Sequence, residues 1–229
     1  ETILETAKVE TIDKALFDLG WSSFHLTAGR GFSFRAEEPL HMTYGSPEEG
    51  TTAADMVNDL SETSLADLIF TLGEEHFSRG IARSIVAARS VEPILTTGQL
   101  VAAIEAGVPG WYKKRRIHAA TKTFQALRIA VNDELGALRE GLAAAIAKLS
   151  DGGRVAVITF HSIEDRIVKS MLRDAAHAGQ GTVITKKPII PTSDESTRNP
   201  RARSAKLRVF ERSARAAALI TSSSLALYA

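Results

Sequence analysis

The chain has 229 residues, 44% of them hydrophobic, and its 28 basic and 27 acidic side chains leave a formal net charge of +1. This is enough apolar material for a good-sized globular domain, and so nearly neutral a field excludes nucleic-acid binding by overall charge, leaving that task to local basic clusters. Cysteine is absent, which removes disulfides, thiolate catalysis and cysteine zinc sites and makes a cytoplasmic setting the expectation. No apolar run approaches the ~18–20 residues of a membrane helix, and residues 1–20 lack the basic-then-apolar layout of a signal peptide.

Along the chain, "KALFDLGWSS" reads as a short buried strand, Lys14 to Asp18, stopped by a Gly-Ser turn. Residues 25–50 carry Gly29, Gly31, Pro39, Gly45, Pro47 and Gly50 and read as a long loop, of a length that compact domains often keep for function. From Thr51 to Ala106 the pattern is helical, punctuated by Ser61, Gly73 and Pro93 and followed by Gly107, and predicts a small helical domain. Phe124, Leu127, Val131, Leu135, Leu138 and Leu142 then recur at spacings of three and four, which predicts one long helix over 123–149. "DGG" at 151–153 stops it. The near-continuous apolar run of "RVAVITF" predicts a strand covered on both faces, hence a parallel sheet. "HSIEDRIVKSMLRDAA" opens with Ser162 as N-cap and Asp165 three residues on as a variant capping box, above an apolar stripe of Ile163, Ile167 and Met171. The last residues, "ARAAALITSSSLALYA", read as a closing strand or helix.

Ligands of doubly wound sheets bind beyond the carboxyl ends of the strands, where this pattern puts Asp18 on one strand and His161 and Ser162 on another. Asp18 there can accept hydrogen bonds from a ligand amine or hydroxyl, or cap a turn; His161 can serve as a general base or nucleobase contact, or as a satisfied structural residue. "WYKKRRIH" sets Lys113, Lys114, Arg115 and Arg116 beside two aromatics, the combination that joins phosphate neutralisation to base stacking. A second basic, Pro-rich segment holds Lys186, Lys187, Arg198, Arg201, Arg203, Lys206 and Arg208, like a strip tracking phosphates. There is no P-loop, HExxH, GxSxG or dinucleotide fingerprint, and the six histidines show no metal-ligand spacing, so no metal is expected.

"FDLGWSS", "RGFSFR", "TFQALRIAVNDEL", "FHSIEDRIVK", "KKPIIPT" and "NPRARSAKLR", in this order from about residue 13 to 212, closely resemble the bacterial small-subunit ribosomal RNA cytosine-N4 methyltransferase family, RsmH or MraW. The resemblance implies an α/β fold: a Rossmann-like, S-adenosylmethionine-dependent methyltransferase sheet with a helical domain inserted after its fourth strand. It divides the chain into 1–46 (fourth strand and loop), 47–120 (inserted helical domain) and 121–229 (fifth strand onward). By position, Asp18, Leu19 and Gly20 resemble the family's cofactor-contacting turn, and Trp21 or Phe160 would stack on the base. His25 stands where the family usually has Gln. Phe160, His161 and Ser162 would line the catalytic pocket, while Asn199, Arg201, Arg203 and Lys206 would face the substrate. The implied ligands are S-adenosylmethionine and small-subunit ribosomal RNA, at a decoding-site cytidine.

Departures from the pattern carry their own expectations. The family begins with a glycine-rich loop resembling GGHS and an acidic residue after the second strand, whereas this sequence starts just before the fourth strand; its "EEPLHMTYG" replaces "GPLDMRMD". A sheet truncated there is expected to expose an apolar edge, and with it either poor stability or a compensating partner, a homo-oligomer or a complementing chain. The rival expectation is a non-catalytic RNA-binding or assembly protein that has lost the methyl-donor site.

Overall fold

The computed structural model describes residues 2–20, 22, 24–25 and 28–213. Trp21 and the tail from 214 onward, read above as base-stacking and as a closing element, lie outside the described residues. Contacts gather the chain into two compact units, one made of 1–20 with 135–229, the other of 21–134.

The first unit is built on a four-stranded sheet in the order β1-β2-β4-β3. After a short helix α1 (Thr2–Thr6), β1 (Ile12–Asp18) lies parallel to β2 (Leu149–Thr159), with Phe17 opposite Val157 and Asp18 opposite Ile158. Beyond β2 the sheet is mixed: β4 (Lys206–Arg212) pairs antiparallel with β2, and β3 (Gly181–Val183) antiparallel with β4. The expectation of a parallel sheet therefore holds for the first pair only. Between β3 and β4 the described helices are a six-residue turn, Ser193–Arg198, and the 3-10 segment Pro200–Ser204, neither long enough for the crossover a parallel return requires.

Val155, Val157 and Thr159 of β2 are fully buried, while Ala156 and Ile158 on the opposite face are half-buried, so its two faces are covered unequally. Leu138, Leu142 and Ile146 from one helix, Val168 and Leu172 from another, and Phe210 from β4 complete the core around β2. β1 is an edge of this sheet, and its Leu16 stands 68% exposed.

The long helix expected over 123–149 is two helices, Thr121–Val131 and Glu134–Lys148 (α8), separated at Asn132-Asp133, where Asp133 takes φ +43°. Val131 and Leu135 keep the apolar spacing across the break, which is why periodicity alone does not reveal it. The side chain of Asn132 provides the cause: it accepts from Tyr44 N (2.8 Å) and donates to Met42 O (2.7 Å), turning the chain toward the loop.

The second unit is helical. α2 (Ala53–Asp59), α3 (Glu62–Gly73), α4 (Ser78–Arg89), α5 (Thr97–Ala106), the single turn α6 (Gly110–Lys113) and α7 (Thr121–Val131) enclose Leu65, Ile69, Ile81, Ile85, Leu100, Ile104 and Leu127, all fully buried. Its entries are set by local chemistry, with reciprocal capping boxes at Thr52–Asp55 and Thr96–Gln99. The loop before α2 is held down by Leu40 and Met42, buried against this core. Gly31 makes its closest backbone approach: at φ +80°, an added Cβ would lie 2.5 Å from Pro39 O. Among the described residues no helix is long and apolar enough to cross a membrane.

Candidate functional site

The parallel register of β1 and β2 brings two strand ends side by side. Leu19 N donates to Ile158 O at 3.1 Å, extending the ladder one residue past β1, and the chain then turns at Gly20 with φ +96°. A Cβ at Gly20 would find Phe160 Cδ2 at 3.8 Å, so space is available there and the backbone angle is what calls for glycine. Asp18, Leu19 and Gly20 thus stand beside Phe160, His161 and Ser162. Asp18 is exposed, and its carboxylate has no hydrogen-bond partner among the described residues.

β2 passes into α9 (Ser162–His177) through a capping box one residue earlier than expected. His161, extended at φ −139° and ψ 166°, is the N-cap; its Nδ1 accepts from Glu164 N at 3.4 Å. The Glu164 carboxylate reaches back to Phe160 N at 2.8 Å and His161 N at 3.3 Å. Accepting at Nδ1 puts the proton of a neutral ring on Nε2, which lies 3.1 Å from Glu164 Oε1. Burial works to raise the Glu164 pKa, but the His161 ring and the two backbone N–H groups outweigh it and hold the carboxyl below its ordinary value.

Asp165, expected to close the capping box, faces the sheet instead. Its carboxylate takes Arg208 Nε at 2.7 Å and Nη2 at 3.2 Å, and Lys206 Nζ at 3.2 Å. Burial again pushes upward, and the bonds and charges of Arg208 and Lys206 overcome it, so this carboxyl too titrates below its usual range. The two acids therefore divide the labour at the helix start: Glu164 ties down the backbone of the strand-to-helix turn, and Asp165 ties the helix to β4. Glu164 was missed by the sequence reading, although an acid at the third helical position was a legible signal.

The remaining candidates are spread over both units. His25 lies in the helical unit's segment, its ring 4.9 Å from Tyr44 and 5.6 Å from Phe32, with Nδ1 accepting from Ser22 N at 3.1 Å. Lys113, Lys114, Arg115 and Arg116 are exposed in that same unit. In the sheet unit Asn199 ends the helical turn by donating its N–H to Glu195 O at 2.7 Å, Arg201 and Arg203 are exposed, and Lys206 is shared with Asp165. Arg208, counted above in the basic strip, is 5% exposed and its guanidinium is taken up by Asp165.

Residues 1–213 match the model of the MraW methylase family. A protein named ribosomal RNA small subunit methyltransferase H from Deinococcus radiodurans is 55% identical over 213 residues, 93% of this chain and 66% of its own length. Proteins of the same name from Deinococcus deserti and Koribacter versatilis are 50% and 53% identical, over 92% and 89% of this chain and 68% and 64% of theirs. The chain spans about two thirds of the length of these curated relatives. With a family model matched along nearly its whole described length and relatives this similar, the chain belongs to the MraW methylase family.

Proposed function

We propose that this chain serves methyl transfer from S-adenosylmethionine to N4 of a cytidine in small-subunit ribosomal RNA. The observation that carries the reading is the pairing of the Asp18-Leu19-Gly20 turn with Phe160-His161-Ser162 at adjacent strand ends, in a chain of this family. Three relatives bearing a methyltransferase name support it over a non-catalytic assembly role. A cytoplasmic setting, where ribosomal subunits are found, follows from the same reading, as does an inserted helical domain at 47–120.

The residues present suit part of the cofactor and the base. Asp18 offers an exposed acceptor, Gly20 a backbone that a ligand can approach without a Cβ, and Phe160 a half-buried aromatic side chain. His25 is a further cofactor-contact candidate by position. When bound, S-adenosylmethionine supplies an already activated methyl group, so the protein's part is alignment and polarisation. The Asp18 carboxylate accepts a hydrogen bond from the exocyclic amine, which raises electron density on the nitrogen and orients it. Phe160 stacks on the base, which must be unpaired to reach it. His161 and Ser162 line the pocket on a turn that Glu164 fixes. Asn199, Arg201, Arg203 and Lys206 in one unit and Lys113 to Arg116 in the other contact the RNA backbone.

Calorimetric titration with S-adenosylmethionine and single-turnover methylation of a small-subunit RNA fragment test this. Asp18→Asn removes a charge-assisted bond of about 1.5–3 kcal/mol and should slow methyl transfer roughly 10- to 150-fold. Unchanged turnover and cofactor affinity would refute the assignment of Asp18.

A further inference from the structure

The helical unit carries an exposed aromatic that the strand-end site does not use. Trp111, on the single turn α6, is 62% exposed, while its neighbour Tyr112 is 5% exposed. Tyr112 is the anchor: its hydroxyl donates to the fully buried Glu75 carboxylate, whose other oxygen accepts from Phe77 N at 2.9 Å. Burial, followed by the bond and charge of Glu75, pushes the Tyr112 phenol up to about 12, so it stays a donor across the working range. This lock sets the position of Trp111. Its indole is braced by Phe77 at 5.8 Å and Tyr112 at 5.7 Å, with interplanar angles of 70° and 83°, so neither lays a parallel ring over it.

Directly after Trp111 and Tyr112 in the chain come Lys113, Lys114, Arg115 and Arg116, all exposed, and none forms an ion pair among the described residues. Arg115 additionally sits over the Tyr112 ring at 5.1 Å. A lone exposed apolar side chain is ordinary, and what sets this one apart is its fixed position beside four successive cations, which any occupant must satisfy. An acidic peptide would satisfy the cations and leave the indole uncovered. A single strand of nucleic acid offers both chemistries at once, a phosphate and a π-face at every nucleotide.

We propose that Trp111 is a stacking platform for an unpaired base of single-stranded RNA, held pre-formed by the Tyr112–Glu75 lock and flanked by phosphate contacts from Lys113, Lys114, Arg115 and Arg116. This deepens the RNA reading above and rests on it. Because the ring is already braced, little side-chain freedom is lost on binding, and a stacked base brings a gain that is largely independent of its identity.

The test is fluorescence anisotropy of the whole chain with a labelled short oligouridine and with an abasic strand of equal length. Trp111→Ala should weaken oligouridine binding by about tenfold or more and leave the abasic strand unaffected, whereas Trp111→Phe should keep most of the preference. The double variant Lys113→Ala with Lys114→Ala should weaken both strands alike and flatten the log affinity against log salt slope by about 1.4. Equal oligouridine binding by wild type and Trp111→Ala, an equal loss on the abasic strand, or preference for polyglutamate over oligouridine would each overturn the proposal. Titration of the same variants with S-adenosylmethionine separates the two readings: absent cofactor binding with a Trp111-dependent base preference sinks the methyl-transfer reading alone, and intact methyl transfer without that preference sinks the platform alone.

Discussion

The carboxylate of Asp165 is held by Arg208 at 2.7 and 3.2 Å, with the guanidinium 5% exposed. Removing the acid leaves a buried cation unpaired. Asp165→Asn should therefore destabilise the protein by about 3–5 kcal/mol, measured by urea unfolding, and a loss below about 1 kcal/mol would mean that water reaches Arg208. The pH dependence follows from the same contacts. Asp165 and Glu164 both have folded pKa values below their unfolded ones, so the unfolded chain binds more protons in acid. Their stabilisation is fully present above the unfolded carboxylate range and drains away as pH falls through the lower folded values. Unfolding free energy measured downward from neutral pH should fall with acid, and Glu164→Gln should make the fall shallower. The sequence could name the strand, the turn and the helix here, but not the cap. Ser162 outranks His161 by N-cap preference, and what reverses the order is Glu164 folding back on the amides of 160 and 161. Asp165's partner lies 43 residues away on a strand whose place in the sheet no local pattern reveals.

At the scale of elements, periodicity marks 123–149 as one helix and hides the joint between the two helices that are there, because the apolar spacing runs through it. The joint is made by Asn132, whose side chain holds the backbone of the loop at Met42 and Tyr44, 90 and 88 residues away. Arg128 reinforces it with two bonds to Glu134, at 2.8 and 3.0 Å, while Tyr44 Oη donates to the same carboxylate at 2.9 Å. Long-range side-chain bonds of this kind leave no trace in composition, whereas the loop itself was legible from Gly29, Gly31, Pro39 and Gly45. Asn132→Ala removes the Tyr44 N acceptor and the Met42 O donor together and should cost about 1–3 kcal/mol. Hydrogen exchange reports where: the Tyr44 amide and its neighbours should lose protection while α3 and α4 keep theirs. Unaltered exchange at Tyr44 would show that the loop is held in place without Asn132.

Across the whole molecule the two units differ in how their chain is laid out. The sheet unit is discontinuous, since β1 and β2 are adjacent in space but separated in sequence by the entire helical unit, and closing that separation costs loop entropy. The helical unit is continuous from 21 to 134 and has a buried cluster of its own, from Leu40 and Val57 through Leu65, Ile81 and Leu100 to Leu127. A continuous segment with its own core meets the physical condition for independent folding. Residues 21–134 expressed alone should therefore show a helical circular dichroism spectrum and a single cooperative thermal transition. They should also retain the oligouridine-over-abasic preference, because Trp111, Tyr112 and Glu75 all lie within them. A fragment that melts without cooperativity would mean that the sheet unit is part of this core's stability. A fragment that folds and yet shows no base preference would move the stacking surface away from Trp111.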